Sequence, residues 1–128
     1  MTKAIVTTSL APAAVGPYSQ AVVANGFVFC SGQIPLDPET NELVEGDIGA
    51  QTRRCMKNLA AVLEEAGSDL DQLVKVTVYL ADIADYADFN AAYEGFVGTS
   101  PPARAAFAVK DLPKGARIEI ECIALARD

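Results

Sequence analysis

A chain of 128 residues fits one domain, residues 1–128, and can bury a sizeable core without disulfides or metals. Hydrophobic residues make up 51% of it, which argues against disorder, and no apolar run reaches bilayer-spanning length. A net charge of −7 repels a phosphate backbone, and the lack of any histidine removes the usual general base, the common zinc ligand and every Ser-His or Cys-His pair. Acid–base work therefore falls to Glu, Asp, Tyr, Lys or water.

The N-terminus, Met1-Thr2-Lys3-Ala4-Ile5, carries too short an apolar stretch for a signal peptide. Three cysteines, Cys30, Cys55 and Cys122, are an odd number at spacings that match no zinc pattern, and each sits in an apolar context. They read as reduced, buried thiols of a cytoplasmic protein.

Ala4 to Thr8 reads as extended, and Pro12 and Gly16-Pro17 break any helix after it. Tyr18 to Ala24 and Phe27 to Ser31 read as two strands around Asn25-Gly26, the strongest short hairpin signal. Ser31-Gly32-Gln33-Ile34-Pro35 follows as a loop whose glycine permits close approach of a ligand to the backbone, and Asp37 to Asn41 is another turn. A long helix is predicted from Asp47, its N-cap, to Ala66, with Gly67 as the stop. Ile48, Thr52, Cys55, Met56, Leu59, Val62, Leu63 and Ala66 form its apolar stripe, while Arg53, Arg54, Lys57, Glu64 and Glu65 form a solvated face. Leu73 to Ala81 is a β-branched strand with Val74, Val76, Val78 and Leu80 on one face. A second helix covers Tyr86 to Val97 and buries Phe89, Tyr93, Phe96 and Val97 as core.

Pro101-Pro102-Ala103-Arg104 then opens a strand-like run, Ala105 to Val109. Pro113-Lys114-Gly115 marks a turn before a second run from Arg117 to Ala126. Alternation puts Glu119 and Glu121 on one side of that last strand and Ile118 and Ile120 on the other. If the two runs pair as an antiparallel hairpin, a guanidinium and a carboxylate reach one surface. The guanidinium suits a substrate carboxylate, and a glutamate can orient or deprotonate a water. The order β-β-β, α, β, α, β-β predicts an α+β fold: a mixed six-stranded sheet with both helices on one face. The other face needs a cover, part of which a second subunit can supply.

Five stretches stand in register: Gly16-Pro17-Tyr18-Ser19-Gln20-Ala21, Ser31-Gly32-Gln33-Ile34-Pro35, Asn90-Ala91-Ala92-Tyr93, Pro102-Ala103-Arg104 and Ile118-Glu119-Ile120-Glu121. In this order and spacing the chain resembles the RidA (YjgF-type) family of enamine/imine deaminases from about Ile5 to Ala126. The resemblance implies chorismate-mutase-like subunits in a homotrimer, with a central barrel and active sites in clefts between subunits. It implies hydrolysis of 2-imino acids, tautomers of 2-enamino acids, such as 2-iminobutanoate and 2-iminopropanoate, to 2-keto acids and ammonia, with no cofactor or metal.

By the same resemblance, Arg104 holds the substrate carboxylate and Glu119 positions the attacking water. Tyr18 helps place or protonate the nitrogen, and Ser31, Gly32 (through its backbone) and Asn90 line the pocket. Many members carry cysteine or threonine two positions after the arginine, where Ala106 stands here. Alanine is harmless if that position acts through its main chain, and alters activity or substrate range if the side chain contributes.

Each residue has a plainer reading. Glu119 and Glu121 share a face, so periodicity cannot choose between them, and only the family match selects Glu119. Tyr18 can be a strand aromatic in a subunit contact, Ser31 can close a turn, and Asn90 can cap a loop. Two other functions compete: a non-catalytic protein that binds a small carboxylate such as a 2-keto acid in the same cleft, and a ribonuclease or translation inhibitor. The second is physically unattractive for an acidic chain without a basic, aromatic-studded groove.

Overall fold

Asn25 and Gly26 have φ of 51° and 81°, the left-handed pair that a two-residue type I′ turn requires. They close a hairpin between β2 (Ala21–Ala24) and β3 (Phe27–Gln33), in which Ala24 pairs with Phe27. In the computed structural model, which describes residues 2–127, these strands belong to one sheet with β1 (Ala4–Val6), β4 (Leu73–Leu80), β5 (Ala103–Ala108) and β6 (Ile118–Leu125). The order across the sheet is β1-β2-β3-β6-β4-β5, and only the β4–β5 pair is parallel.

Helix α1 (Ile48–Glu65) begins where the Asp47 carboxylate accepts a hydrogen bond from Ala50 N–H at 2.9 Å. It ends at Gly67, whose φ of 79° lets Ser68 N–H reach Leu63 O at 2.8 Å. Its stripe from Ile48 to Leu63 is buried as read, together with Gln51 and Asn58. Helix α2 (Tyr86–Tyr93) is shorter than expected, because the chain tightens into a single 3-10 turn at Glu94–Phe96. Phe89 and Tyr93 are buried, while Phe96 and Val97 are only partly so.

The core lies between α1, α2 and one face of the sheet. Val28, Val76, Val78, Leu80, Ile118, Ile120 and Ala124 are each 0% exposed there. Val74 is a correction to the strand reading. A register shift between Leu73 and Lys75 turns Leu73 inward in its place and leaves Val74 exposed. Strand β2 likewise begins at Ala21 and not at Tyr18, and β5 starts two residues earlier than expected, at Ala103.

The larger correction concerns the last two strands. β5 and β6 do not pair with one another, because β4 lies between them. The stretch β4-α2-β5 is a crossover unit, the connection a parallel pair needs, and it sends β5 to the sheet edge. β6 buries every second residue from Ile118 to Ala124 and so takes the central place between β3 and β4. Pro113-Lys114-Gly115 does turn the chain, with φ of 58° at Lys114 and 70° at Gly115, but a turn signal does not say which strand lies alongside.

The opposite face of the sheet has no cover from the described residues. Ile5, Val22, Phe29, Ile123, Tyr79 and Phe107 lie across it by register, and Ile5, Phe29 and Phe107 are exposed by 65%, 44% and 45%. Tyr79 and Phe107 meet edge to face with centroids 5.4 Å apart.

Candidate active site

Arg104 sits on β5 opposite Val76, a core residue of β4, so its side chain leaves the sheet on the helix side. There α2 receives it. One guanidinium nitrogen donates to Asn90 Oδ1 at 2.8 Å and another to the Tyr86 hydroxyl at 2.6 Å. The Tyr86, Phe89 and Tyr93 rings surround its carbon, with centroids 5.7, 5.3 and 5.0 Å away. Among the described residues no carboxylate pairs with it. A charged fork held by neutral groups, with donors to spare, is suited to an anionic ligand.

The Tyr93 hydroxyl is buried without a hydrogen-bond partner among the described residues. Burial pushes its pKa up, against a downward pull from the Arg104 charge.

Glu119 occupies a second region. It pairs with Tyr79 across β4 and β6 and points to the uncovered face, while its neighbours Ile118 and Ile120 point into the core. Burial, and then the negative charge of Glu121, raise its carboxyl above the ordinary value of 4.5. The carboxylate lies directly over Gly32. A Cβ at that position would overlap Glu119 Oε2 and stand 2.9 Å from its Cδ. The shift of register between Cys30 and Gln33 is the bulge that brings this glycine under the carboxylate.

Glu119 and Gly32 line a cleft of about 720 Å³ together with Tyr18, Ser31, Glu121 and Lys114. Pro12, Val15, Ile34 and Leu36 supply its apolar wall. Ser31 Oγ donates to Ser19 O at 2.6 Å, which ties the bulge to the Tyr18 loop. The Tyr18 hydroxyl accepts from Val15 N–H at 3.3 Å, and the ring is 53% exposed.

The predicted site residues therefore fall into two groups. Tyr18, Ser31, Gly32 and Glu119 share the cleft, and Arg104 and Asn90 share the α2 cage. Within one chain the arginine and the glutamate lie on opposite faces of the sheet, so the expectation of one shared surface fails. The cause is alternation with β4 interposed: Arg104 is in register with inward-facing Val76, and Glu119 with outward-facing Tyr79. The Ala106 side chain packs against the core beside Val78 and lies outside the cleft. Because Val109 N–H bonds to Leu80 O, strand alternation turns the Ala106 peptide groups to the free edge.

With this geometry in view, the family model described as Endoribonuclease L-PSP matches residues 8–126. The chain belongs to the RidA family. It is 52% identical to a RutC family protein of Pyrococcus abyssi, over 97% of this chain and 98% of that one. It is 44% identical to the human 2-iminobutanoate/2-iminopropanoate deaminase, over 94% of this chain and 88% of that one. The crystal structure of a Rid family protein of unknown function from Yersinia pestis superposes with a TM-score of 0.94 at 46% identity, covering 98% of this chain and all of that one.

In this RidA chain three contributions escaped the sequence reading. Tyr86 was not read as a guanidinium partner, and Phe89 and Tyr93 were read as core alone, although they also wall in Arg104. Tyr86 and Tyr93, four before and three after Asn90, share its helix face, and that spacing was the available signal. Gln20 is a buried clamp: its Oε1 accepts from Thr8 N–H, and its Nε2 donates to Thr8 O, Ala11 O and Pro12 O. It fixes the loop that presents Tyr18, and no local pattern marks it. Asp85 and Arg117 pair at 2.8 Å between the α2 entry and the start of β6.

Proposed function

We propose that this chain is a deaminase that hydrolyses 2-imino acids such as 2-iminobutanoate and 2-iminopropanoate to 2-keto acids and ammonia. The observation that carries the reading is Arg104 itself, a cation caged by an amide, a hydroxyl and three rings and left without a carboxylate partner among the described residues. The likeness to the human deaminase supports the same chemistry.

In this reading Arg104 holds the substrate carboxylate as a bidentate pair, a geometry lysine cannot reproduce. Glu119 orients a water and takes its proton as the oxygen bonds to the iminium carbon and the C=N π pair moves to nitrogen. Glu119 then returns that proton to the nitrogen, and as the C–N bond breaks to release ammonia the hydroxyl proton passes back to the Glu119 carboxylate and the C=O of the keto acid closes. An iminium carbon is already electrophilic, so no covalent nucleophile is needed, and no cofactor or metal enters. Positioning of this kind supplies on the order of several kcal/mol. Tyr18 helps place the nitrogen, and Ser31, the Gly32 backbone, Asn90 and the main chain at Ala106 complete the pocket.

Since Arg104 and Glu119 face opposite sides of one sheet, the site is assembled from two copies of the chain. The apolar uncovered face is then buried in a homotrimer with a central barrel, in the cytoplasm. A small-carboxylate binding protein would use the same arginine but has no need of a half-buried glutamate seated on a glycine. Nucleic acid is not proposed as a partner for a chain of net charge −7 without histidine, and no helix of the described residues is long and apolar enough to cross a membrane.

The test is a coupled assay in which a serine/threonine dehydratase makes the imine in the presence of semicarbazide. Wild type suppresses semicarbazone formation, and Arg104→Ala and Glu119→Gln do not. A wild-type chain that leaves semicarbazone formation unchanged refutes the deaminase reading.

A further inference from the structure

Of the three rings around Arg104, two belong to the core whatever the arginine does. Phe89 is 0% exposed and Tyr93 4%, whereas Tyr86 stands at the surface, 38% exposed. The Tyr86 ring leans on Phe89 with centroids 6.0 Å apart. Packing therefore accounts for the ring and leaves the hydroxyl without a reason. That hydroxyl makes one hydrogen bond among the described residues, the 2.6 Å contact in which Arg104 Nη2 donates to it. Asn90 Oδ1 accepts from Nη1 at 2.8 Å.

A long arginine side chain samples many rotamers, and a bidentate ion pair requires the plane of its fork to be fixed. One acceptor alone leaves the guanidinium free to pivot about the bonded nitrogen. Tyr86 and Asn90, one turn apart on α2, hold both terminal nitrogens and so set the plane. Of the five N–H donors of a guanidinium, these two contacts leave three for a carboxylate. The helix that carries both acceptors is itself moored at its entry. Asp85 occupies the N-cap position of α2, yet its carboxylate caps no backbone N–H there. It pairs instead with Arg117 Nη2 at 2.8 Å, and the Arg117 main-chain N–H donates to Gln51 Oε1 of α1 at 3.3 Å. Tyr86 is the next residue after this anchor.

We infer that Tyr86 is a positioning residue for carboxylate binding: its hydroxyl fixes the plane of the Arg104 fork, and the Asp85–Arg117 ion pair fixes Tyr86. The inference rests on the part of the deaminase reading that gives Arg104 the substrate carboxylate. The fork is oriented on folding and not at the moment of binding, so the effect appears as affinity. The imino acid, its transition state and the keto product all carry that carboxylate. Loss of the hydroxyl therefore weakens all three alike, which raises KM without lowering kcat.

The experiment compares wild type with Tyr86→Phe, which keeps the ring on Phe89 and removes one oxygen, with Asp85→Asn, and with the double variant. Imine hydrolysis is read in the semicarbazide assay, 2-ketobutanoate binding by calorimetry, and folding by urea denaturation. Tyr86→Phe is expected to raise KM and the 2-ketobutanoate Kd together by about five- to tenfold, the worth of a hydrogen bond to a charged group. Its kcat stays within about twofold of wild type, and its urea midpoint is unchanged. Asp85→Asn is expected to raise both constants by about two- to threefold, as for a partly exposed ion pair, and to add nothing in the Tyr86→Phe background.

Unchanged KM and Kd in a folded Tyr86→Phe overturn the inference. So does a fall in kcat at constant KM, or a weaker keto-acid affinity matched by a lower urea midpoint, which is the mark of a structural hydroxyl. Effects of Asp85→Asn that multiply with those of Tyr86→Phe overturn the link through Asp85. A wild-type chain without imine hydrolysis refutes the deaminase reading, and the inference still stands if that chain binds 2-ketobutanoate and Tyr86→Phe weakens the binding. A wild type that binds no 2-ketobutanoate overturns the inference.

Discussion

Replacing Gly32 by alanine perturbs Glu119 without touching it chemically. Gly32 lies outside the left-handed region, so alanine meets no backbone penalty there. The added methyl would overlap Glu119 Oε2 and stand 2.9 Å from Cδ and 3.1 Å from Cγ, so the carboxylate has to swing aside. A flexible side chain does this by leaving its rotamer, at a cost of about 0.5–1.5 kcal/mol. The same movement displaces the group that holds the water by roughly 1 Å, enough to cost about 100-fold in rate. The expected result is a chain with near-normal denaturant stability whose kcat falls about 100-fold while KM changes little. Steady-state rates in the semicarbazide assay, beside urea unfolding of both proteins, check it. Full activity in folded Gly32→Ala would refute the claim that the seat of the carboxylate matters.

Three further outcomes follow from the same geometry. Burial and Glu121 raise the Glu119 pKa in the folded chain, so the fold holds that proton more tightly than the unfolded chain does. Stability from this group is full below the ordinary carboxylate value and is lost as pH rises through the raised one. Urea midpoints of Glu119→Gln, compared with wild type across pH 4 to 8, are expected to show a growing advantage for the variant, and a constant difference would contradict the cause assigned. Tyr93→Phe removes a buried hydroxyl that has no partner and is expected to leave stability unchanged or raise it by about 1 kcal/mol, measured by chemical denaturation. Gln20→Leu strands four backbone groups of the N-terminal loop and is expected to cost about 2–4 kcal/mol, measured by urea denaturation.

Local signals carried much of the fold. Asp47, Gly67 and the apolar stripe between them define α1 because caps and helical periodicity are set by neighbours in the chain. Asn25-Gly26 defines the first hairpin for the same reason. The order of β5, β4 and β6 was not legible, because strand partners are chosen by burial across the whole sheet. The exposed Phe107 of the edge strand and the enclosed Ile118 of the central one make that choice visible only once folded. The site divided in the same way. Arg104, Asn90, Glu119, Ser31 and Gly32 were named from motifs, while the relation between Arg104 and Glu119 depended on β4 and was misjudged. Tyr86 and Gln20 act through contacts 18 and 12 residues distant in the chain; helical spacing from Asn90 marks Tyr86, whereas nothing local gives Gln20 its role.

The central claim, a deaminase site that takes Arg104 from one copy and Glu119 from another, is tested most directly by mixing two inactive chains. Arg104→Ala and Glu119→Gln subunits are each purified, dissociated and reassembled together in equal amounts. In a random closed ring where each site draws one group from each of two neighbours, about a quarter of the sites pair an intact Arg104 with an intact Glu119. The account predicts recovery of roughly that fraction of wild-type activity, with neither variant active alone. Mixed assemblies that form fully and remain inactive would contradict it.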